Sequence, residues 1–203
     1  FIAHAYSRAG VAAFTTSTGY GIAKYDNPEE LSVSDRNNIG YQYTDCPLYW
    51  ISVIYLNFAE AKAEMGSLTQ DDLNNSINKL QARAGLPAMT TTPDADPANN
   101  MGVSNLIWEI RRCRRCELIM DNWYRYWDLI RWHQLDKLDS TKYPNTMLGA
   151  NVSNVPDCEE ATKNGYIDAS DAQIRTYEAK HYFYPIPTTQ LTLNKNMKQN
   201  PGW

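Results

Sequence analysis

The residues from 111 to 132 combine several side chains that could do chemistry. The stretch RRCRRCELIMDNWYRYWDLIRW holds six arginines, five aromatic residues and the pair Cys113 and Cys116 in a Cys-x-x-Cys arrangement. Thiols three residues apart on a helix could share a metal ion or a redox function. Arginines beside aromatic rings could bind nucleic acid. The same residue types also suit the inside of a helical protein.

A metal or redox site is disfavoured by the rest of the chain. Zinc would need two further ligands, but the sequence has no second Cys-x-x-Cys, and His4, His133 and His181 are scattered without ligand spacing. A thioredoxin-like motif begins a helix after a strand, whereas this pair lies inside a predicted helix. We therefore expect two small buried thiols. The acidic residues form no EF-hand loop, so neither a metal nor any other cofactor is predicted.

Nucleic-acid binding is disfavoured by charge and by periodicity. The formal net charge is -4, whereas a dedicated nucleic-acid binder usually carries a basic excess. Apolar residues recur at helical spacing, which predicts that the aromatic rings lie in the core. The predicted core stripe consists of Leu106, Ile110, Cys113, Met120, Trp123 and Trp127.

The arginines have carboxylates at helical spacing. Pairs three or four residues apart on a helix face each other, and bidentate arginine–carboxylate pairs fix geometry. The predicted structural ion-pair network consists of Arg114, Glu117, Asp121, Arg125, Asp128 and Arg131. Two of its carboxylates could act as a glycosidase pair, but arginine neighbours would keep them ionised, unlike a general acid with a raised pKa. A glycosidase role for these carboxylates is therefore disfavoured.

Helices must position these residues, and their boundaries are visible in the sequence. The run LYWISVIYLNFAEAKAEM (48–65) predicts a mostly buried helix that ends at Gly66. Thr69 can cap a second helix through Asp72 and so complete an αα-hairpin, with Gly85 after its end.

Further along the chain, Ser104 is predicted to cap one long helix that runs to about Asp136. Three regions are rich in turn-forming residues: 1–47 predicts loops and short strands, 87–103 predicts a surface loop, and 139–180 predicts long loops with one short helix near 169–178. The last segment is predicted to be extended, with a helical turn near Thr188 to Leu193.

Three segments, in order, resemble one protein family. IRRCRRCELIMDNWYRYWDLIRW is similar to the signature helix of the SusD/RagB family of Bacteroidetes outer-membrane lipoproteins. YLNFAEAKAEMG (55–66) followed by INKLQARAGLP (77–87) resembles the helical hairpin of that family. YFYPIPTTQLTLNKNMKQNPGW (182–203) resembles its C-terminal motif.

The resemblance implies a mainly all-α protein of tetratricopeptide-like helix pairs with long loops, forming the C-terminal portion of a larger SusD-like fold. It implies two regions: 1–47, a ligand-facing region of loops and short strands, and 48–203, the SusD/RagB-like C-terminal domain. The remaining N-terminal half of the same protein would then be one of the partners of this chain.

The function implied by the resemblance is surface glycan binding. The protein would capture an oligosaccharide and deliver it to a SusC-type TonB-dependent transporter, and the resemblance implies that it is not an enzyme. It would lie on the cell-surface side of the outer membrane, lipid-anchored through an N-terminal cysteine not present in this chain. Two alternatives remain open: a RagB-type peptide-binding uptake protein, and a helical-repeat protein-interaction module without a glycan role.

Candidate ligand residues follow from what sugars require. Sugar capture needs an aromatic face for the apolar side of the pyranose ring and planar polar groups for the hydroxyls. The first candidate set has this composition and consists of Tyr20, Tyr25, Arg36, Asn37, Asn38, Tyr41 and Tyr43. The second candidate set consists of Tyr143, Asn145, Asn151 and Asn154.

Overall fold

The computed structural model describes residues 2–3, 5–6, 15–21, 32, 34–35, 48–154, 162–170 and 173–203. The chain forms two units, of which one spans 45–128 and the other combines 1–44 with 129–203. The predicted division of the chain between residues 47 and 48 stays a prediction.

The first helix of the unit 45–128 is α1 (Ile51–Glu64). It begins after Trp50, whose backbone is extended, and ends where Gly66 adopts a positive φ of 67°. Glycine takes up this left-handed conformation without steric penalty, as expected for a residue that follows a helix. The helix buries Leu56 and Ala59 completely.

The second arm of the predicted hairpin consists of two short helices, α2 (Gln70–Asn74) and α3 (Ile77–Arg83). The predicted capping box is present: the Thr69 hydroxyl accepts from the backbone of Asp72 at 3.1 Å, and the Asp72 carboxylate accepts from the backbone of Thr69 at 2.9 Å. The arm is interrupted at Ser76, whose buried hydroxyl donates to the carbonyl of Asp72 at 2.6 Å. Such back-bonding often bends a helix.

Helix α4 (Asn105–Glu117) begins as predicted, because the Ser104 hydroxyl accepts from the backbone of Ile107 at 3.3 Å. It packs against α1 and α3. The buried core that the helices share consists of Leu56, Ala59, Leu73, Ile77, Leu80, Met89, Ile110 and Leu118.

The prediction of one helix from Ser104 to about Asp136 is wrong. Helix α4 ends at Glu117, and α5 (Tyr124–Arg131) begins after a turn in which Met120, Asn122 and Trp123 have positive φ. Because this turn interrupts the helix, the apolar residues before it and after it do not share one helix face. Met120, Trp123 and Trp127 are 59%, 80% and 53% exposed, and the predicted core stripe therefore stops within α4.

The described part of the other unit holds short strands and turns. Strands β1 (Ile2–Ala3) and β4 (Tyr20–Gly21) pair antiparallel, and β2 (Ala5–Tyr6) pairs parallel with β3 (Thr15–Thr16). A three-stranded antiparallel sheet places β7 (Tyr166–Asp168) between β5 (Leu148–Asn151) and β6 (Thr162–Lys163).

In the described part of the same unit, 3-10 helices span Leu135–Leu138, Pro144–Met147 and Ala179–Tyr182. Helix α6 (Thr188–Leu193) occurs where a helical turn was predicted. The short helix predicted near 169–178 is absent from the described residues of that range. Residues 173–178 instead run without helix beside 139–140, where Ser140 exchanges backbone and hydroxyl hydrogen bonds with Arg175.

The architecture is mostly helical, and the predicted all-α class is confirmed. Of the helices that the structure describes, none has both the length and the apolar composition needed to cross a membrane.

Candidate functional site

The three-stranded sheet presents an exposed aromatic ring on its central strand beside an amide on an edge strand. Tyr166 on β7 and Asn151 on β5 are cross-strand partners, and both side chains are exposed. Partners in an antiparallel pair have Cβ atoms roughly 4.5–5.5 Å apart on one face. The side-chain oxygen Oδ1 of Asn151 accepts from the backbone N–H of Ser153 at 3.0 Å, and this bond fixes the orientation of the side-chain amide. We name this pair the Tyr166 surface.

The opposite face of β7 is covered by a turn from the first predicted region. Ile167, which alternates with Tyr166 along the strand, is 1% exposed. The Thr18 carbonyl accepts from the backbone of Ala150 at 2.8 Å. A Cβ atom on Gly19 would lie 2.7 Å from Cδ1 of Ile167, so the close approach of this turn to the sheet requires glycine. The turn holds Tyr20 at 47% exposure.

The structure describes one residue of the first candidate set, Tyr20, which lies on β4 just after the turn that contacts β5. Asn151, from the second set, lies on β5 in the three-stranded sheet, whereas Tyr20 lies in the separate sheet that β4 forms with β1. The other members of the first set, Tyr25, Arg36, Asn37, Asn38, Tyr41 and Tyr43, lie outside the described residues. Their role in binding stays a prediction.

The remaining members of the second set have different environments. The Tyr143 hydroxyl accepts from Nζ of Lys137 at 2.7 Å, and the same ammonium lies 4.5 Å from the ring centroid. This tyrosine is half-buried, and these two contacts hold it in place. Asn145 and Asn154 are exposed.

Tyr166 was missed by the sequence analysis, although a local signal was present. Asn164 and Gly165 form the two-residue turn between β6 and β7, with φ of 54° and 80°. An Asn-Gly pair between short β-forming segments is the strongest short-range signal of a hairpin. The abundance of polar residues in 139–180 led instead to a prediction of loops.

The arginines of α4 make ion pairs within the unit 45–128. Nε of Arg114 lies 2.7 Å from Oδ2 of Asp128, and the two side chains are each 5% exposed. Nη1 of Arg114 also donates to the side-chain oxygen of Asn57 on α1 at 2.8 Å. Arg111 lies 3.5 Å from Glu60 and 3.1 Å from Glu64, which ties α4 to α1 a second time. Buried and charge-assisted, these pairs fix the register of the two helices.

The remaining members of the predicted network have environments that the sequence did not indicate. Glu117 accepts from Arg83, on α3, at 2.6 Å. The predicted pairs of Arg125 are not formed: within the described part of the chain no hydrogen bond or ion pair reaches its guanidinium. Burial, together with the charge of Arg115, lowers the pKa of Arg125. Arg131 lies 4.7 Å over the ring of Trp132. Of the pairs predicted from helical spacing, only that of Asp121 with Arg125 spans the break between α4 and α5.

The two cysteines of α4 differ from each other. Cys113 is half-buried, and burial, reinforced by the neighbouring Glu117, raises the pKa of its thiol to about 12. Cys116 is exposed, so the expectation of two buried thiols is wrong for this residue. The core stripe predicted from helical spacing included Cys113 and not Cys116, and of the two only Cys113 packs against the core. Over the described residues, no group of three or more His, Cys, Asp or Glu side chains is arranged to hold a metal ion.

Comparisons with known proteins agree with the helical pattern. The chain is similar to a SusD-like protein from Bacteroides fragilis NCTC 9343, with 27% identity and a TM-score of 0.53 over 75% of this chain and 25% of that protein. It is also similar to the protein BT4246, with 28% identity and a TM-score of 0.55 over 77% of this chain and 23% of that protein. The chain therefore spans about a quarter of the length of these relatives. No curated protein matches it significantly.

A family model identifies the family of this chain. The model described as the SusD family matches residues 2–203, which is nearly the whole chain. The three sequence segments that resemble this family lie on α1, α3, α4, α5 and the C-terminal segment with α6. The chain belongs to the SusD family.

Proposed function

We propose that this protein binds glycans at the cell surface and passes them to a SusC-type TonB-dependent transporter of the outer membrane. The proposal is supported by membership of the SusD family and by the exposed Tyr166 surface. In this proposal the protein works on the outer face of the outer membrane, held there by a lipid anchor, in a complex that includes the remainder of a longer SusD-like protein.

The Tyr166 surface is the observation that carries the glycan assignment. A tyrosine ring offers a flat apolar face to the hydrogens of one side of a pyranose ring. The adjacent Asn151 amide offers a donor and an acceptor to the hydroxyl groups at the rim of the same ring. The two groups lie on neighbouring strands, so their separation is set by the sheet and not by a loop.

Binding without catalysis is favoured by the contacts of two carboxylates on the helices. Asp128 is paired with Arg114, and Glu117 is paired with Arg83. Each pair joins α4 to another helix, α5 in the first case and α3 in the second. We therefore assign these carboxylates to the scaffold.

A glycan array probed with the whole 203-residue chain tests the proposal. We expect binding to at least one oligosaccharide class, and we expect Tyr166→Ala to weaken that binding about tenfold or more, since a lost stacking and hydroxyl contact is worth about 1–3 kcal/mol. Tyr184→Ala is the matched control because Tyr184 is also exposed, at 68%, but lies outside the sheet. It should bind as the unmodified chain does.

Other outcomes of the same screen are informative. Binding to peptides and to no glycan would replace the proposal by a RagB-type peptide uptake role. Binding to neither, together with capture of a protein partner that depends on the exposed helices, would favour a protein-interaction module. Equal loss of glycan binding in the Tyr184 control would show that Tyr166 acts through folding and not through contact.

A further inference from the structure

A cleft of about 490 Å³ lies in the unit 45–128. The Tyr166 surface belongs to the other unit. One wall is the segment 86–94 that follows α3, and the other is formed by Glu109 and Arg112 on α4. Small-molecule sites in proteins typically have volumes of roughly 300–1,000 Å³. The cleft is therefore large enough to enclose a small ligand.

The wall formed by 86–94 is held in place by side chains and not by its own secondary structure. The side-chain oxygen Oδ1 of Asn78 accepts from the backbone N–H of Met89 at 2.7 Å, and the side-chain nitrogen Nδ2 donates to the backbone carbonyl of Met89 at 3.1 Å. Gln70 donates to the same carbonyl at 3.0 Å. Three hydrogen bonds on one residue fix the middle of the segment, so the cleft is preorganised before any ligand arrives.

Gln81 lines the cleft and is only 7% exposed. Its side-chain amide makes no hydrogen bond to another described residue, and it is not among the buried polar groups that lack a partner, so solvent in the cleft reaches it. A ligand hydroxyl group can take the place of water at such an amide with a hydrogen bond of similar strength. The Gln81 amide is therefore a group that a ligand in the cleft can bind.

Arg112 supplies further donors at the same cleft. Its Nε donates to Oε2 of Glu109 at 2.7 Å and its Nη2 donates to Oε1, so one edge of the guanidinium is fully used. Nη1 has no hydrogen bond to any described residue and remains available as a donor. Because Glu109 holds the group in one plane, Nη1 has a defined position.

The charge of the lining selects the class of ligand. Two carboxylates, Asp94 and Glu109, face a single guanidinium, that of Arg112, so the cleft is net negative and repels anions. Thr90 and Thr92 add hydroxyl groups, while Leu86 and Pro87 add apolar surface. A neutral molecule with several hydroxyl groups and one apolar face matches this lining.

We propose that this cleft is a second sugar subsite, which binds one neutral sugar unit through the Gln81 amide and Nη1 of Arg112. The inference rests on the proposed function, because it assumes that the chain captures glycans. It adds a position for one sugar unit that is independent of Tyr166.

The test is a titration of the isotope-labelled whole chain, followed by ¹H–¹⁵N spectra. The neutral probes are the methyl glycosides of glucose, galactose and mannose, and the anionic probe is glucuronate. We expect at least one neutral probe to shift the backbone amides of Thr90 and Thr92 and the side-chain amide of Gln81. Glucuronate should bind at least tenfold more weakly.

Two variants make the test specific. Gln81→Met keeps the side-chain length, removes the amide, and should weaken the neutral probe about tenfold or more. Thr92→Tyr fills the cleft from an exposed position and should block binding even if Gln81→Met proves unstable. Gln173→Met is the matched control because Gln173 is exposed and lies outside the cleft, and it should bind the probe unchanged.

The result separates the two proposals. If the array shows glycan binding that depends on Tyr166, but no neutral probe shifts the cleft resonances, the subsite is overturned and the proposed function stands. If the cleft resonances shift but no oligosaccharide binds the array, the subsite is supported and the proposed function fails. Equal shifts with glucuronate would overturn the assignment to neutral sugars.

Discussion

Nε of Arg114 donates to Oδ2 of Asp128 at 2.7 Å, which joins α4 to α5 across the turn that separates them. The remaining side of the guanidinium is also engaged, since Nη1 donates to Asn57 on α1. Three residues of the intervening turn have positive φ without being glycine, a conformation that costs roughly 1–2 kcal/mol for each residue. The buried ion pair joins the two sides of this turn.

Replacing one partner of this pair should destabilise the protein strongly. Arg114→Leu leaves the Asp128 carboxylate buried without its cation, and we expect the free energy of unfolding to fall by about 3–5 kcal/mol. The double variant Arg114→Leu with Asp128→Leu should recover much of this loss, because no charge is then left stranded. Urea unfolding followed by circular dichroism measures both values.

The partly exposed pair of Glu109 and Arg112 provides the matched control for this cycle. Its side chains are 20% and 41% exposed, so Arg112→Leu should cost only about 0–1 kcal/mol. If the effects of Arg114→Leu and Asp128→Leu simply added in the double variant, the two side chains would not be coupled, and the ion pair would not be what holds the turn.

Asn78 should control the order of the segment 86–94. Both polar atoms of its side chain bond to the backbone of Met89, which is 5% exposed. Asn78→Leu strands the buried backbone N–H of Met89, and we expect a loss of about 1–3 kcal/mol. Hydrogen exchange of the Met89 amide should accelerate by tenfold or more. Asn75→Leu, at an exposed position that does not touch Met89, should leave that amide protected.

The features that sequence predicted correctly are local ones. The capping box of Thr69 and Asp72, the Ser104 cap and the left-handed Gly66 each depend on residues within a few positions of one another. Such signals are complete within a short window because the hydrogen bonds that satisfy a helix end come from its nearest neighbours. The end of α1 and the starts of α2 and α4 could therefore be predicted without tertiary information.

The features that sequence did not predict depend on distant contacts. Glu117 pairs with Arg83, thirty-four positions earlier, although Arg114 lies at helical spacing from it. The break after Glu117 places three non-glycine residues at positive φ, a choice that local propensity opposes and tertiary packing enforces. The Tyr166 surface depends on which short strands pair, and pairing of β5 with β7 brings together residues fifteen positions apart.

Because of Asp139, we expect the unit formed by 1–44 and 129–203 to lose stability in acid. Its carboxylate accepts from the hydroxyl and backbone of Thr141 and from the backbone of Tyr177. The hydroxyl of Thr141, followed by the Tyr177 amide, lowers the pKa of Asp139 to about 2. Because the pKa is lower in the folded state, the carboxylate contributes stability above its unfolded pKa of about 3.9, and this contribution is lost as the pH falls from 4 towards 2.

The melting temperature as a function of pH checks this relationship. At pH 7 Asp139→Asn should melt below the unmodified chain, since an amide cannot accept these three hydrogen bonds as a carboxylate does. The difference in melting temperature should shrink steadily between pH 4 and pH 2, where the native carboxylate becomes protonated. Asp94→Asn, at an exposed position, is the control. A difference that stays constant down to pH 2 would show that charge at Asp139 is not the cause.

Alkylation should distinguish the two cysteines of the Cys-x-x-Cys pair. Cys116 is exposed, whereas burial raises the pKa of Cys113 to about 12, so at pH 8 only about one Cys113 thiol in ten thousand is ionised. Since the thiolate is the nucleophile, iodoacetamide should modify Cys116 at least tenfold faster, as measured by mass spectrometry of the peptides. The variants Cys113→Ser and Cys116→Ser assign the two rates, and both residues should react alike in urea. Equal rates in the folded chain would mean that Cys113 is not shielded by the packing of α4 on α1.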